Sequence, residues 1–201
     1  MSMAGNLKNE QESITAAKQG DLDAFNQLVL AYQDQVFTVT YRIMGEAQSA
    51  ADAAQETFIT AFRRLETYRG GSFRAWLLRI ATNTCYDILR YHKRRPALGF
   101  DDLVDENYDD APPIPDPIHT PEEAAQNAEL HEAIQRCIDA LNDDQRVTLV
   151  MSDIEGYSYQ EIADTVGVQL GTVKSRLSRA RASLRQCLQA VQELLPDEYR
   201  L

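Results

Sequence analysis

The residues whose types most clearly point to a chemistry lie in a basic stretch near the end of the sequence. Between Gly171 and Ala190 the chain has five Lys or Arg residues and no Asp or Glu. Its candidate contact residues are Thr172, Lys174, Ser175, Arg176, Ser178, Arg179 and Arg181. Arg forms two parallel hydrogen bonds with guanine and Ser or Thr accepts several partners, so such a helix can read the major groove of DNA. A basic helix that only packs on the surface is the alternative, but the local charge favours an anionic partner.

The residues before this stretch predict the elements that would hold it against DNA. A capping-box pattern at 158–161 begins a short helix, and Ala163 is small where a second helix would approach it. Gly167 suits a tight turn, and the second helix runs over about 170–188 with Val173 directed inward. This succession is typical of a helix-turn-helix, whose second helix enters the major groove.

A second set of polar residues lies on a predicted helix in the first half of the chain. The set comprises Arg79, Asn83, Tyr86, Arg90 and Arg94, which share one side of a helix with 3.6 residues per turn. The functional interpretation is a phosphate-tracking stripe, with Tyr86 or Tyr91 available to stack on an unpaired base. The alternative is a solvated face with cations near a helix C-terminus. The charge pattern alone leaves both open.

The elements that must position this stripe are predicted to be helices. Asp21 caps a helix that ends at Gly45, Ser49 caps a second with Asp52 as its capping-box partner, and Ser72 caps a third. The apolar residues assigned to the inner faces include Leu22, Phe25, Phe58, Phe62 and Ile80. In the second half, Pro121 and Asn142 begin two further helices. No segment has the pattern of a strand, so the predicted fold class is all-α.

The charge of the chain is distributed unevenly. With 20 Lys and Arg against 31 Asp and Glu, the 201 residues carry a net charge of −11, which excludes a uniformly basic coat. Ten of the acidic residues lie in 97–129, which has no Lys or Arg, and six of the seven prolines lie in 96–121. Prolines at this density prevent a helix, and like charges without apolar periodicity cannot form a core. The sequence therefore predicts a domain at 1–96, an acidic flexible linker at 97–121 and a second domain at 122–201.

Cysteine, histidine and apolar residues exclude several other classes of protein. Cys85, Cys137 and Cys187 are odd in number and form no Cys-x-x-Cys pair, so we expect buried thiols and neither a disulfide framework nor a zinc ribbon. The three histidines are scattered and no nucleophile constellation appears, so neither a metal, a cofactor nor a catalytic residue is predicted. No apolar run has the length of a signal peptide or a membrane span. A cytoplasmic protein without membrane insertion is expected.

Motifs in both halves, in this order and with this acidic segment between them, resemble the extracytoplasmic-function (ECF) sigma factors. Asp52-x-x-Gln55-Glu56-x-Phe58 resembles the helix that this family docks on core RNA polymerase, which implies polymerase contacts by Asp52, Gln55, Glu56, Phe58 and Phe62. The segment 73–94 resembles the family's −10 reader, which implies DNA contacts by Tyr68, Arg69, Ser72, Phe73, Trp76, Arg79, Asn83, Tyr86, Arg90 and Arg94. The segment 156–181 resembles its −35 reader, which adds Tyr159 to the candidate residues of the basic helix.

The resemblance implies binding and no covalent chemistry. The first domain would bind core RNA polymerase and capture flipped −10 bases, with Asn83 and the loop 67–72 as the candidate pocket. The second domain would read the −35 duplex, and an anti-sigma factor is the expected inhibitory partner. The alternative is a stand-alone helix-turn-helix regulator whose N-terminal bundle senses a signal or dimerises. The stripe from Arg79 to Arg94 favours the sigma factor, because a sensor domain has no need of it. An enzyme is the least favoured class.

Overall fold

A computed structural model of the chain describes residues 10–94 and 121–190. In the second range, side chains are described from residue 129 onward. Within these ranges all regular structure is helical, which confirms the all-α prediction. Of the described residues, those up to Lys93 belong to one compact unit and those from Arg94 onward to another. Residues 97–120 of the predicted linker lie outside the described residues. Of the helices described, none is long and apolar enough to cross a membrane.

The N-terminal unit is a bundle of four α-helices. They are α1 (Glu10–Lys18), α2 (Leu22–Met44), α3 (Ala47–Arg64) and α4 (Phe73–Arg94), with a 3₁₀ turn at Leu65–Thr67 after α3. The sequence patterns did not predict α1, because nine residues contain too few apolar positions to show a helical period. Packing stabilises it: Ile14 and Ala17 are buried, and α1 lies against α2.

The caps of these helices agree with the sequence at three positions and differ at one. Asp21 accepts from the amides at the start of α2, Gly45 ends α2 in the left-handed conformation, and the Ser72 hydroxyl accepts from the Ala75 amide at 3.2 Å. The prediction that Ser49 caps α3 is wrong. Glu46 caps it instead, because its carboxylate accepts from the Gln48 and Ser49 amides at 2.9 and 2.8 Å. The hydrogen bond with Ser49 lowers the pKa of Glu46, although partial burial opposes the shift.

The close approach of α2 and α3 forms the centre of this unit. Ala50 and Ala53 are fully buried on α3, and their small side chains let the backbones come near one another. The Thr40 hydroxyl on α2 donates to the Ala50 carbonyl at 3.0 Å, which satisfies a buried polar group. Two residues assigned to inner faces are exposed instead, Leu22 at 61% and Phe62 at 39%. Leu22 lies in the first turn of α2, before the helix reaches the core.

The C-terminal unit contains the predicted helix-turn-helix. Its helices are α5 (Pro121–Asp139), α6 (Asp143–Leu149), α7 (Tyr159–Val166) and α8 (Leu170–Ala190), with a π-helical turn at Val150–Ile154 after α6. Caps at Asn142 and Ser158 and the left-handed turn at Gly167 are confirmed, and the capping box of Ser158 with Glu161 is complete. Leu141, Leu149, Ala180 and the partly buried Leu184 pack together and join α6 to α8. The π-helical turn had no counterpart in the sequence patterns.

One expectation about the cysteines is wrong. Cys137 on α5 and Cys187 on α8 form a disulfide, with their Cα atoms 5.6 Å apart although 50 positions separate them in the sequence. Spacing along the chain could not reveal this pair, because only the packing of α5 against α8 brings the two helices together. Cys85 is a buried thiol as predicted, and burial raises its pKa to about 12.

Candidate nucleic-acid interface

The outward side of α8 is the candidate duplex-reading surface. Lys174, Ser178 and Arg179 are exposed there, whereas Val173 and Leu177 of the same helix are buried. Thr172 and Ser175 are partly exposed in the first two turns, where the Ser175 hydroxyl donates to the Thr172 carbonyl at 2.9 Å. A groove of about 430 Å³ runs along α8. It is lined by Tyr159, Lys174, Leu177, Ser178, Arg181, Ala182 and Arg185.

Two other candidate cations of α8 have internal partners. Arg176, whose side chain is only 17% exposed, forms a 2.9 Å ion pair with Asp144 of α6. Arg181 donates from Nε and Nη2 to the two carboxylate oxygens of Asp153, at 2.8 and 2.6 Å. This fork lowers the pKa of Asp153, against the opposing effect of its burial. The Arg181 guanidinium also lies 3.5 Å from the Tyr159 hydroxyl, so it connects α8, the π-helical turn and α7.

The loop before α4 is fixed from beneath by an aromatic cluster. Tyr68 is 3% exposed, and its hydroxyl donates to the Gly71 carbonyl at 2.6 Å. Its ring meets Phe73 edge-on and lies against Trp76, each with a centroid distance of 5.5 Å. Gly70 and Gly71 have φ angles of 101° and 91°. Residues with side chains rarely adopt such angles, so this loop depends on both glycines. Arg69 and Ser72 are exposed beside them.

The unpredicted helix α1 supports the same loop. The Lys18 ammonium donates to the Tyr68 carbonyl and lies 5.4 Å from the centroid of the Tyr68 ring. At the other end of α1, Glu10 contributes with burial to raising the pKa of Tyr32 to about 12. Sequence reasoning missed Lys18, because only the fold brings α1 to a loop fifty residues further along the chain.

The side chains of the predicted stripe on α4 are exposed or partly exposed, with one exception. Arg79, Arg90 and Arg94 are exposed and Asn83 is partly exposed, all on α4 as predicted. The exception is Tyr86, which is 7% exposed and whose ring centroid lies 5.6 Å from the Arg90 guanidinium. The expectation that Tyr86 could stack on a base therefore does not fit its burial. Tyr91, named with it as a stacking candidate, is 58% exposed.

The outward side of α3 combines carboxylates with apolar side chains. Asp52, Gln55 and Glu56 are exposed, and Phe58 is partly exposed. Phe62 is 39% exposed and packs edge-on against Phe25 at 4.9 Å, so part of its ring stays in solvent. Ile59, one turn from both Gln55 and Phe62, is 37% exposed and was not identified from the sequence. Its exposure follows from the orientation of α3 against α2.

Comparison with known proteins assigns the chain to a family. Residues 28–95 match the model of sigma-70 region 2 and residues 131–184 match that of sigma-70 region 4. The RNA polymerase sigma-H factor of Pseudomonas aeruginosa is 36% identical over 183 residues, covering 90% of this chain and 95% of that protein. The chain belongs to the sigma-70 family of RNA polymerase sigma factors. Its relatives include proteins named as ECF members.

Two of these ECF sigma factors show how far the likeness extends. The sigma-E factor of Escherichia coli K12 is 35% identical over 177 residues, which are 87% of this chain and 92% of that protein. SigE of Mycolicibacterium smegmatis is 39% identical over 170 residues, which are 85% of this chain but 63% of that protein. The chain is therefore an ECF sigma factor, a transcription initiation factor, and the alternative of a stand-alone regulator is not supported.

Solved structures agree with this assignment. CnrH, determined in complex with the cytosolic domain of CnrY, matches 90% of this chain and 97% of its own length with a TM-score of 0.52 and 26% identity. RpoE of Bartonella quintana, determined with the anti-sigma factor NepR, matches 83% of this chain and 98% of its own length with a TM-score of 0.56 and 24% identity. The second likeness is evidence for the shared fold.

Proposed function

We propose that the two halves of this sigma factor have separate tasks in promoter recognition. Residues 1–96 bind core RNA polymerase and the melted −10 element, residues 122–201 bind the −35 duplex, and residues 97–121 join them as an acidic tether. The match of region 2 and region 4 models to the two halves supports this division. This sigma factor acts in the cytoplasm, where transcription takes place, and it binds promoters without catalysing a reaction of its own.

The −35 element is proposed to be read by the exposed side chains of α8. The observation that carries this proposal is that Lys174, Ser178 and Arg179 are all exposed on the second helix of a helix-turn-helix. Arg179 is the candidate for a base contact, since Arg hydrogen-bonds guanine through two donors. Lys174 is a point charge suited to a phosphate. Tyr159, Thr172 and Ser175, being partly exposed, are candidates for contacts at the edges.

Arg176 and Arg181 act mainly as positioning residues in this proposal. Each already donates to a carboxylate, so a DNA contact by either would compete with Asp144 or Asp153. Their ion pairs fix α8 on α6 and on the π-helical turn. This sets the angle at which Arg179 would enter the major groove of DNA. The sequence could not separate these two arginines from Arg179, because all three look alike in a basic helix.

The −10 element is proposed to bind the exposed residues of the loop and of α4. Arg69, Ser72 and Asn83 offer donors and acceptors for flipped bases, and the partly exposed Trp76 offers an aromatic surface. Arg79, Arg90 and Arg94 would follow the phosphates. The buried side chains of Tyr68, Phe73 and Tyr86 are proposed to support this surface and not to contact DNA.

Core RNA polymerase is proposed to bind the outward side of α3. Asp52, Gln55 and Glu56 would supply the polar contacts, with Phe58 partly accessible beside them. Ile59 and Phe62 add an exposed apolar centre, since their side chains are 37% and 39% exposed. Buried apolar residues surrounded by polar ones are the usual arrangement of a protein interface.

An anti-sigma factor is proposed as the inhibitory partner. RpoE of Bartonella quintana was determined with the anti-sigma factor NepR, and CnrH with the cytosolic domain of CnrY. The similarity of this chain to both proteins supports a partner of the same kind. A pull-down with the full chain from its host, followed by identification of the bound proteins, tests for the inhibitor and for polymerase subunits together.

The decisive experiment is transcription in vitro with purified components. Core RNA polymerase, the full chain and a promoter library with randomised −35 and −10 positions should give transcripts that share two sequence elements. The variant Arg179→Ala should lose selection at −35 while retaining it at −10. Duplex binding without any specific transcript would refute the proposal, because a sigma factor must confer initiation on the core enzyme.

A further inference from the structure

The three cysteines occupy two kinds of environment. Cys137 is 2% exposed on α5 and is joined to Cys187, which is partly exposed on α8. Cys85 is buried in the other unit with a pKa raised to about 12, so it stays a protonated and unreactive thiol. The chain therefore contains one sulfur pair that solvent can reach from one side, and one cysteine that serves as an internal control.

The segment of chain that the disulfide closes into a loop contains the duplex-reading surface. The 50-residue separation between its two cysteines spans α6, the π-helical turn, α7 and most of α8, including Lys174 and Arg179. Apart from the bridge, α8 is held to α6 by Leu141, Leu149, Ala180 and Leu184. Two ion pairs join α8 to neighbouring residues, at Arg176 and Arg181, and both lie before Cys187. The disulfide is therefore the covalent link between α5 and the last turn of α8, beyond Leu184.

We propose that Cys137 and Cys187 form a redox modification site that controls the −35 module. This inference rests on the proposed function in one respect: the compartment in which RNA polymerase works keeps thiols reduced, so a disulfide there forms in response to an oxidant. The oxidant has the chemistry of hydrogen peroxide. Oxidation fixes the last turn of α8 on α5, and reduction removes this link while the residues up to Leu184 still hold the preceding part of α8.

The partial exposure of Cys187 sets the order of the steps. Its thiolate attacks one peroxide oxygen, the O–O bond breaks, and a sulfenic acid and one water form with uptake of a proton. The Cys137 thiol then attacks that sulfur, the S–O bond breaks, and the oxygen leaves as a second water with the thiol proton. In sum, two thiols and one peroxide give one disulfide and two waters, and peroxide accepts both electrons.

The test compares the oxidised and the reduced full chain, with no substitution needed. Treatment with hydrogen peroxide should leave one thiol that an alkylating reagent labels after unfolding, and treatment with a dithiol should leave three. Closing a loop of this length should raise the melting temperature of the C-terminal unit by roughly 10 °C or more. The Kd for a −35 duplex should be roughly threefold or more lower in the oxidised form, since a fixed module binds without first being ordered.

Variants assign these effects to the pair. Cys137→Ala and Cys187→Ala should each make the melting temperature and the Kd insensitive to peroxide, whereas Cys85→Ala should respond as the wild type does. Three labelled thiols after peroxide, or equal melting temperatures in the two forms, would overturn the proposal. A Kd unchanged by oxidation would overturn the control of DNA reading. Absence of DNA binding in both forms, with the thiol and melting responses intact, would reject the proposed function and leave the redox site supported.

Discussion

The fork between Arg181 and Asp153 gives the sharpest prediction about the duplex-reading surface. In the native protein the Asp153 carboxylate offsets the charge of Arg181 at the edge of the groove that Lys174 and Arg185 also line. The substitution Asp153→Asn keeps the shape of the side chain and one acceptor oxygen but removes the negative charge. It therefore releases an uncompensated guanidinium beside two other cations, on the side of α8 proposed to meet DNA.

The magnitude follows from the geometry of the pair. Two unit charges separated by about 2.7 Å attract by roughly 1.5 kcal/mol in bulk water, and ordering the two side chains opposes this. The side chains of Arg181 and Asp153 are 48% and 32% exposed, so screening by solvent keeps the interaction near this limit. The two parallel hydrogen bonds add geometric strength. We expect a coupling energy of about 1 kcal/mol in a double-mutant cycle with Arg181→Ala.

The pH dependence has a definite sign. The hydrogen bond from Arg181 lowers the pKa of Asp153 below its value in the unfolded chain. The carboxylate therefore stabilises the fold above the unfolded pKa, and this contribution is lost as the pH falls through the lower pKa of the folded state. The difference in unfolding free energy between wild type and Asp153→Asn should be constant near neutral pH and should shrink only below about pH 4.

The assay is duplex binding as a function of salt. The released guanidinium of Asp153→Asn should gain one phosphate contact, so the slope of log K against log salt should steepen by about 0.9. Arg181→Ala should leave the slope near the wild-type value, whereas Lys174→Ala, the matched control, should flatten it by about 0.9. If Arg181→Ala flattens the slope and Asp153→Asn does not change it, Arg181 already contacts phosphate and the reasoning is refuted.

Three further predictions concern other parts of the chain. Arg179→Ala should weaken specific −35 binding by about 1–3 kcal/mol in a competition assay, and an equal loss on every DNA sequence would show a phosphate contact instead. Asn83→Ala should slow promoter opening while sparing polymerase affinity, and normal opening on templates with single −10 mismatches would contradict the pocket. Glu46→Ala should lower the unfolding free energy by about 1 kcal/mol at pH 7, because the cap of α3 is lost. In urea titrations its effect should start to shrink below the unfolded pKa of Glu46 and vanish below the lower pKa of the folded state, and an undiminished effect there would exclude the capping carboxylate.

Local sequence signals predicted the elements well where the backbone itself requires a particular residue. Asp21 and Ser158 satisfy orphan amides at helix starts, and Gly45 and Gly167 adopt positive φ angles at helix ends. The prediction at Ser49 failed for a local reason too, since Glu46 accepts from the amides of Gln48 and Ser49 and so begins the helix earlier. Such signals are short in range and can be read along the chain.

Contacts between distant segments could not be predicted in the same way. Arg176, Arg179 and Arg181 are equivalent in a basic helix until the fold brings Asp144 and Asp153 to two of them. Tyr68 and Tyr86 are polar aromatic residues in the sequence, but packing buries both and leaves Tyr91 exposed. Burial depends on how a helix is rotated against its neighbours, and a helical period fixes that rotation only to within a residue or so.

By itself the sequence determined the all-α class, the helix-turn-helix and the two faces proposed to meet nucleic acid, because apolar periodicity and capping residues act within a few positions. The tertiary structure alone decided which cations stay free to contact a partner, that α1 supports the loop through Lys18, and that Cys137 meets Cys187. Each of these depends on side chains many positions apart, and only the packing of the helices makes them neighbours.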